Sequence, residues 1–138
     1  MDDVRKELAA TIDAMVAEGN VPMFLMVDLV GAEYLRQSAR GDALATFRET
    51  CMASLSGAAG DTEVFSYGEI RIVAILRGFD RLKTFALIEK MRRMLPLLGQ
   101  SFDIDVQPEF DTLELDPATG AAGVIAQLVA PRQRADAA

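Results

Sequence analysis

The sequence predicts an α+β fold, an α/β sandwich in which helices pack on one antiparallel sheet. Two stretches, MFLMVD at residues 23–28 and IRIVAIL at residues 70–76, are nearly continuous apolar runs, which is typical of buried strands. Two long segments, one between these runs and one after them, repeat apolar residues at helical spacing. The resulting order of strand, helix, hairpin, helix and strand is that of a ferredoxin-like, split βαβ sheet.

Length and composition indicate one folded domain. A chain of 138 residues can bury a substantial core, and 51% hydrophobic residues are too many for a disordered chain. The net charge of −7 disfavours nucleic acids and anionic membranes as partners. No apolar run approaches the roughly 18 residues of a membrane span, and the first residues lack the pattern of a secretory signal. We therefore expect a cytoplasmic protein that does not insert into membranes.

The chain has one cysteine, Cys51, and no histidine. A single cysteine excludes an internal disulfide and fits a reducing compartment. Without histidine, the commonest general base and the commonest zinc ligand are missing, so histidine-dependent nucleophiles are excluded and a structural zinc site is not expected. Cys51 falls on the apolar face of a predicted helix, where we expect a small core residue rather than a reactive thiol.

The first half of the chain is predicted to form a helix, a central strand and a second helix. Residues 2–18 carry apolar residues at every third or fourth position, and we expect this helix to pack on its own domain rather than form a coiled coil. The strand covers residues 21–30 and is followed by a short helix or turn over residues 31–39. Asp42 is a suitable N-cap for the second helix.

The next predicted elements are a hairpin and a long helix. The hairpin covers residues 64–76 and turns at residues 67–69, which include an acidic residue. The helix covers residues 81–95, with Asp80 as its N-cap and Pro96 as its end. The residues at helical spacing along it, which would form its inner face, are Phe85, Ile88, Met91 or Arg92, and Leu95. Its basic residues, which we expect on a solvated face rather than in an anion site, are Arg81, Lys83, Lys90, Arg92 and Arg93.

The end of the chain is predicted to add one strand or two, with Pro108 midway in the segment, and then a last helix. Residues 102–106 alternate apolar and acidic side chains, which is typical of a strand with one solvated face. A change in the phase of the pattern over residues 110–113 predicts a bulge or turn. Residues 116 and 117 suit the start of a helix over residues 118–129.

Several local strings in this order resemble the GGDEF domain, whose nucleotidyl-cyclase fold makes cyclic di-GMP from two GTP molecules. The strand FLMVDLV is similar to the family's first strand and puts Asp28 at its divalent-cation position. The string GDAL puts Asp42 where the family has an Asp that contacts guanine. The string SYGEI stands at the place of the signature hairpin tip, with Glu69 as its acid. The resemblance covers residues 22–134, most of the chain.

The chain departs from the family's pattern at the positions that handle triphosphate. In one register, Ser66 and Tyr67 stand where the family has two glycines. In a register shifted by one residue, Tyr67 and Gly68 stand there, and Ile70 replaces the second acid. One metal carboxylate is missing in either register. Pro131 stands where the family has a phosphate-binding Lys.

These departures imply a loss of activity. Phosphoryl transfer depends on positioning and on charge neutralisation, which is usually provided by metal ions on carboxylates. We therefore expect no enzyme, but a catalytically inactive GGDEF-like regulatory or protein-interaction module in bacterial signalling. The alternative is a nucleotide sensor that binds GTP or cyclic di-GMP in a remnant pocket without turnover. The missing carboxylate argues against a third reading, an active enzyme with altered chemistry.

Each candidate residue has two interpretations. The resemblance implies Asp28 and Glu69 as metal residues that hold Mg²⁺ weakly, with no other cofactor expected. Their plainer roles are a strand-end carboxylate and a solvated turn. The resemblance also implies Asp42, Tyr67 and Gly68 as remnant nucleotide-binding residues. The plainer roles are a helix cap for Asp42 and cross-strand packing for Tyr67.

The predicted organisation has three parts. Residues 1–20 form a lead-in helix, residues 21–130 form the GGDEF-like domain, and residues 131–138 form a disordered tail. The expected partner is another protein. A homodimer and a guanine nucleotide are the further candidates, and nucleic acid is not.

Overall fold

The centre of the fold is a four-stranded antiparallel sheet with the strand order β2-β3-β1-β4. The strands are β1 (Met23–Val30), β2 (Val64–Tyr67), β3 (Arg71–Leu76) and β4 (Gln107–Glu114). The computed structural model describes residues 2–19, 22–37, 41–115 and 120–130. Strand β3 lies between β1 and β2, so the split βαβ topology predicted from the sequence is confirmed.

In the part of the chain that the structure describes, four α-helices and one short 3₁₀ helix accompany the sheet. They are α1 (Asp2–Ala17), the 3₁₀ helix (Ala32–Gln37), α2 (Ala43–Ala58), α3 (Arg81–Gln100) and α4 (Gly120–Leu128). The predicted order of elements is therefore confirmed, with strand β1 and helix α1 each within two residues of the predicted bounds.

The alternation of side chains along β1 creates two separate cores. Leu25 and Val27 belong to a core with α2 and α3 on one face of the sheet. Phe24 and Met26 belong to a second core on the opposite face, with the buried side chains of α1 and α4. The expectation that the first strand is covered on both faces is confirmed, and so is the packing of α1 on its own domain.

Helix α3 differs from the prediction in its length and in its buried face. It continues through Pro96 to Gln100, because Leu95 and Gly99 on either side of the proline remain buried. A Cβ at Gly99 would meet the Val106 side chain at 2.9 Å, so the extra turn packs closely on the chain that follows it. The expected burial of Phe85 is wrong, since its side chain is 61% exposed. The buried residues of α3 are Thr84, Leu87, Met91, Leu95 and Gly99.

The predicted strand over residues 102–106 is wrong, because that segment is a turn followed by an irregular stretch. Asp103 has a positive φ of 58°, which no strand residue adopts. The alternation of burial is real, since Val106 is buried while Asp103 and Asp105 are exposed. The predicted bulge over residues 110–113 is also wrong, because the register between β1 and β4 is uninterrupted.

Three predictions lie outside the described residues. They are the helix start at residues 116–117, the disordered tail at residues 131–138, and Pro131 at the place of a phosphate-binding Lys. Of the helices in the part of the chain that the structure describes, none is long and apolar enough to cross a membrane.

Candidate functional site

Asp28 on β1 lies directly opposite Arg71, the first residue of β3. The Arg71 Nε donates to one carboxylate oxygen of Asp28 at 2.7 Å, and Nη2 donates to the other at 3.1 Å. Both residues are buried, with 5% of Asp28 and 8% of Arg71 exposed. A guanidinium that engages both oxygens of one carboxylate makes the most directional ion pair available to a protein.

The remaining nitrogen of Arg71 reaches α4. Its Nη1 donates to the Leu128 carbonyl at 2.8 Å, and it also donates to the Ala130 carbonyl. Leu128 is the last residue of α4, and Ala130 follows it by two residues. Carbonyls at the end of a helix lack partners within the helix and carry partial negative charge. One guanidinium therefore links β1, β3 and the end of α4.

A second carboxylate lies beside Asp28 on β4, the strand that flanks β1 on the side away from β3. Glu109 on β4 is the cross-strand partner of Asp28, so the row across the sheet is Arg71, Asp28 and Glu109. Like charges directly opposite each other destabilise a sheet. The Arg71 cation next to Asp28 reduces that repulsion, which gives the ion pair a structural role in this row.

The hairpin tip is anchored to both β1 and α2. The Leu29 N–H donates to the Ile70 carbonyl at 2.8 Å, and Arg48 of α2 donates to the Glu69 carbonyl at 3.1 Å. These contacts bring the exposed Glu69 to the end of the sheet where Asp28 lies. Asp28 and Glu69 therefore lie near the same end of the sheet, and their metal role stays a prediction.

The tip itself is one residue later than predicted. Its turn covers residues 68–70, while Tyr67 remains in β2 and pairs with Arg71. Gly68 has a φ of +70°, which favours glycine, and space around it is open.

Tyr67 and Asp42 occupy different surroundings. Tyr67 is half-buried and lines an apolar cleft with Leu8, Ile125 and Leu128, which supports its packing interpretation. Asp42 is the N-cap residue of α2, as predicted, although its exposed side chain makes no capping hydrogen bond. The nucleotide-binding roles of Asp42, Tyr67 and Gly68 stay predictions.

Cys51 is a core residue, as expected. It is fully buried on α2, and burial raises the pKa of its thiol to about 12 because the thiolate would lose its hydration. The thiol is therefore protonated at neutral pH and has no nucleophilic character there.

The sequence interpretation did not single out Arg71. A signal was present, because Arg71 is the lone charge in the run IRIVAIL and Asp28 is the lone charge in MFLMVDLV. Two isolated opposite charges in two adjacent buried strands are each expected to find a partner. Only the register between the strands brings them together.

Among known proteins, this chain is similar to solved structures and not to family models or curated sequences. No family model matches the sequence, and no curated protein matches it. Solved structures do match, including the GGDEF domain of DgcB from Caulobacter crescentus in complex with cyclic di-GMP. That match has a TM-score of 0.65 and 13% identity over 89% of this chain and 76% of the other.

Two other solved structures agree with this result. A GGDEF domain from Pseudomonas aeruginosa gives a TM-score of 0.69 and 13% identity, covering 91% of this chain and 82% of the other. The active GGEEF domain of a diguanylate cyclase from Vibrio cholerae gives a TM-score of 0.64 and 8% identity. That match covers 85% of this chain and 76% of the other. The four-stranded antiparallel sheet with its helices is therefore the GGDEF-domain form of the nucleotidyl-cyclase fold.

Proposed function

We propose that this chain is a catalytically inactive GGDEF-like domain that acts as a regulatory protein-interaction module in bacterial signalling in the cytoplasm. The observation that carries this proposal is the buried ion pair between Arg71 and Asp28. The resemblance puts Asp28 at the cation position, and here a side-chain cation holds that carboxylate.

The site does not fit the divalent cation that the fold family implies. A hard cation binds through carboxylate lone pairs, and both Asp28 oxygens already accept hydrogen bonds from Arg71. The fixed guanidinium charge would also repel a second cation placed on the same carboxylate. Mg²⁺ on Asp28 would therefore have to share the carboxylate with a fixed positive charge, which weakens its binding.

Displacing Arg71 to remove this repulsion would have a cost of its own. The same guanidinium donates to the Leu128 and Ala130 carbonyls, so its departure would also leave the end of α4 without these donors. Breaking a buried ion pair by removing one partner destabilises proteins by roughly 3–5 kcal/mol. A weak cation site does not supply that free energy.

The hairpin tip supports the same conclusion. Glycines let backbone N–H groups approach phosphates, and Tyr67 carries a side chain at a position where the resembling family has glycine in either register. Tyr67 also pairs with Arg71, so the residue that would block phosphate lies next to the residue that holds Asp28.

A nucleotide sensor is the competing proposal, and one observation favours it. Gly68 keeps its positive φ and open surroundings at the hairpin tip, so its backbone remains accessible to a ligand. The DgcB domain with a similar fold is in complex with cyclic di-GMP. A sensor would bind GTP or cyclic di-GMP and leave it unchanged.

Two measurements on the purified chain separate these proposals. The first incubates it with GTP and Mg²⁺ and detects cyclic di-GMP by mass spectrometry, with the Vibrio cholerae GGEEF domain as the positive control. We expect no product above a blank without protein, and product formation would overturn the proposal. The second is calorimetry with GTP and cyclic di-GMP at ~100 μM, where weak sites still give heat. Binding heat without product formation would favour the sensor. The absence of both heat and product supports the interaction module.

A further inference from the structure

Charge is distributed unevenly between α3 and the rest of the chain. Of the 14 basic residues in the sequence α3 has five, and of the 21 acidic residues α3 has one. The helix therefore carries a net charge of +4, while the remaining residues carry −11. A helix of opposite sign to its own protein has a local field that attracts an acidic partner.

Large exposed apolar side chains are concentrated on the same helix. Five are exposed among the described residues, and three of them lie on α3. These are Leu82 at 76% exposed, Phe85 at 61% and Leu97 at 61%. Apolar anchors next to charged residues are typical of protein interfaces, whereas a helix that only faces solvent has no need of them.

Helical geometry puts the three exposed apolar residues and two of the basic residues on one side of α3. The one acidic residue of the helix, Glu89, lies on the same side, with its carboxylate 3.8 Å from the Arg92 Nε. The spacing from Leu82 to Phe85, Arg93 and Leu97 keeps them within about a third of the helix circumference, opposite the side that packs on the sheet. Lys90 lies at the edge of this set and is exposed. We call Leu82, Phe85, Lys90, Arg93 and Leu97 the outer face of α3. Its length is about 22 Å at 1.5 Å per residue.

We propose that the outer face of α3 binds an acidic amphipathic helix of another protein, through its carboxylates and one or two apolar side chains. This inference rests on the proposed function of an interaction module and names the surface that it uses. The partner's carboxylates would meet Lys90 and Arg93, and its apolar side chains would pack on Phe85 and its neighbours.

The outer face of α3 does not fit against the same face of a second copy. Two copies of the outer face related by a two-fold axis would put Lys90 and Arg93 against their own equivalents, and like charges across an interface are unfavourable. A nucleic acid also fits poorly, because the remaining −11 charge would repel a long polyanion.

The test uses the full chain and a defined probe. The probe is a fluorescent helical peptide of about four turns with Glu on one side and two Leu residues beside them, matched in length to the outer face. Fluorescence anisotropy measures its binding at low and at high NaCl. Arg93→Glu is compared with Lys6→Glu, an equal charge reversal at an exposed residue of α1. Phe85→Ala is compared with Tyr34→Ala, another exposed aromatic residue at 69%.

We expect Arg93→Glu and Phe85→Ala each to weaken peptide binding by at least about 10-fold, and the control variants by less than about 2-fold. Binding should also weaken with salt. Absence of binding, or equal losses in Arg93→Glu and Lys6→Glu, would overturn the proposal. Equal or tighter binding of a single-stranded oligonucleotide would overturn it in favour of a polyanion site, and a dimer that Arg93→Glu dissociates would overturn it in favour of self-association.

This test is independent of the activity measurement. The outer face of α3 and the Arg71–Asp28 pair belong to opposite sides of the sheet, since Arg71 contacts the end of α4. Cyclic di-GMP formation would reject the inactive domain and leave the peptide result intact. Loss of peptide binding with no product formed would reject only the surface.

Discussion

Arg71 donates to both carboxylate oxygens of Asp28 from two different nitrogens, and the two residues are direct partners across β3 and β1. The pair is buried and shares its cation with the end of α4. The protein therefore has a fixed positive charge where the resemblance to GGDEF domains implies a divalent cation. The stability of this end of the fold and the proposed loss of cyclase activity are both expected to follow from this contact.

Arg71→Ala should strongly destabilise the fold. The substitution leaves Asp28 buried without its cation and removes the donors to α4, so we expect a loss of roughly 3–5 kcal/mol in the free energy of unfolding. Urea denaturation measures this loss. The matched control is Arg77→Ala, directly after the other end of β3, where the pair with Glu63 at 2.6 Å is about half exposed.

The control should lose less than about 1 kcal/mol, because exposed ion pairs contribute little. Similar losses in the free energy of unfolding of the two variants would show that the buried Arg71–Asp28 pair contributes no more to stability than an exposed pair. Asp28→Asn should also destabilise, since it leaves the Arg71 charge unpaired.

Gly31→Ala should disturb the junction between β1 and the segment that leads into β4. A Cβ at Gly31 would overlap the Asp105 carbonyl oxygen, and its φ of +105° is unfavourable for any other residue. We expect a loss of several kcal/mol, with about 1 kcal/mol from the backbone alone. Thermal unfolding followed by circular dichroism measures it.

Gly68→Ala is the comparison for Gly31→Ala. Gly68 also has a positive φ, but nothing lies within 4 Å of the added Cβ. It should lose only about 1 kcal/mol. A loss as large as that of Gly31→Ala would mean that the close approach to Asp105 is unimportant.

Asp80→Ala and Asp42→Ala should differ, although both residues precede a helix. The Asp80 carboxylate accepts a hydrogen bond from the Lys83 N–H at 2.7 Å, and Asp42 makes no such bond. We expect Asp80→Ala to lose about 1 kcal/mol of stability, and Asp42→Ala less than about 0.5 kcal/mol. Chemical denaturation of both variants checks this, and reversed magnitudes would contradict the assigned caps.

Cys51 gives a prediction about pH. Burial raises the pKa of its thiol from 9.0 to about 12, so the folded state binds this proton more tightly than the unfolded state. Its contribution to stability is therefore complete below pH 9 and decreases as the pH rises from 9 towards 12. Between pH 8 and pH 10.5, denaturation should show a larger decrease in the free energy of unfolding for wild type than for Cys51→Ala. Equal decreases in the two proteins would mean that burial does not raise the pKa of the Cys51 thiol.

The same burial should protect Cys51 from thiol reagents. At pH 8 we expect labelling of the folded protein to be slower than that of the urea-unfolded protein by about 100-fold or more. Rapid labelling without urea would contradict the core position of this residue.

Much of the fold follows from local patterns in the sequence. The continuous apolar run of β1 predicts a central strand, and the helical spacing of Leu8, Ile12 and Met15 predicts α1. The Asp80 cap is a local contact over three residues and was also predictable. These features depend on neighbours in the chain, so periodicity and capping rules suffice.

The remaining features depend on tertiary packing. Residues 102–106 alternate in burial because they pack against α2 and α3. Phe102, for example, contacts Phe47 with ring centroids 5.1 Å apart. In the sequence, this alternation cannot be distinguished from that of a strand. Helix α3 passes through Pro96 because its packing outweighs the local preference of proline. Arg71 and Asp28 are 43 residues apart, so only the strand register reveals their contact.

The most direct test of the central claim is a titration with Mn²⁺ followed by electron paramagnetic resonance, since this ion reports whether Asp28 is available to a divalent cation. The wild-type chain and a folded Asp28→Asn variant are compared at neutral pH without nucleotide, with circular dichroism as the check on folding. If Arg71 replaces the cation, the two proteins should leave the same amount of free Mn²⁺ at every concentration. Capture of about one Mn²⁺ per chain by the wild type, lost in Asp28→Asn, would contradict the claim.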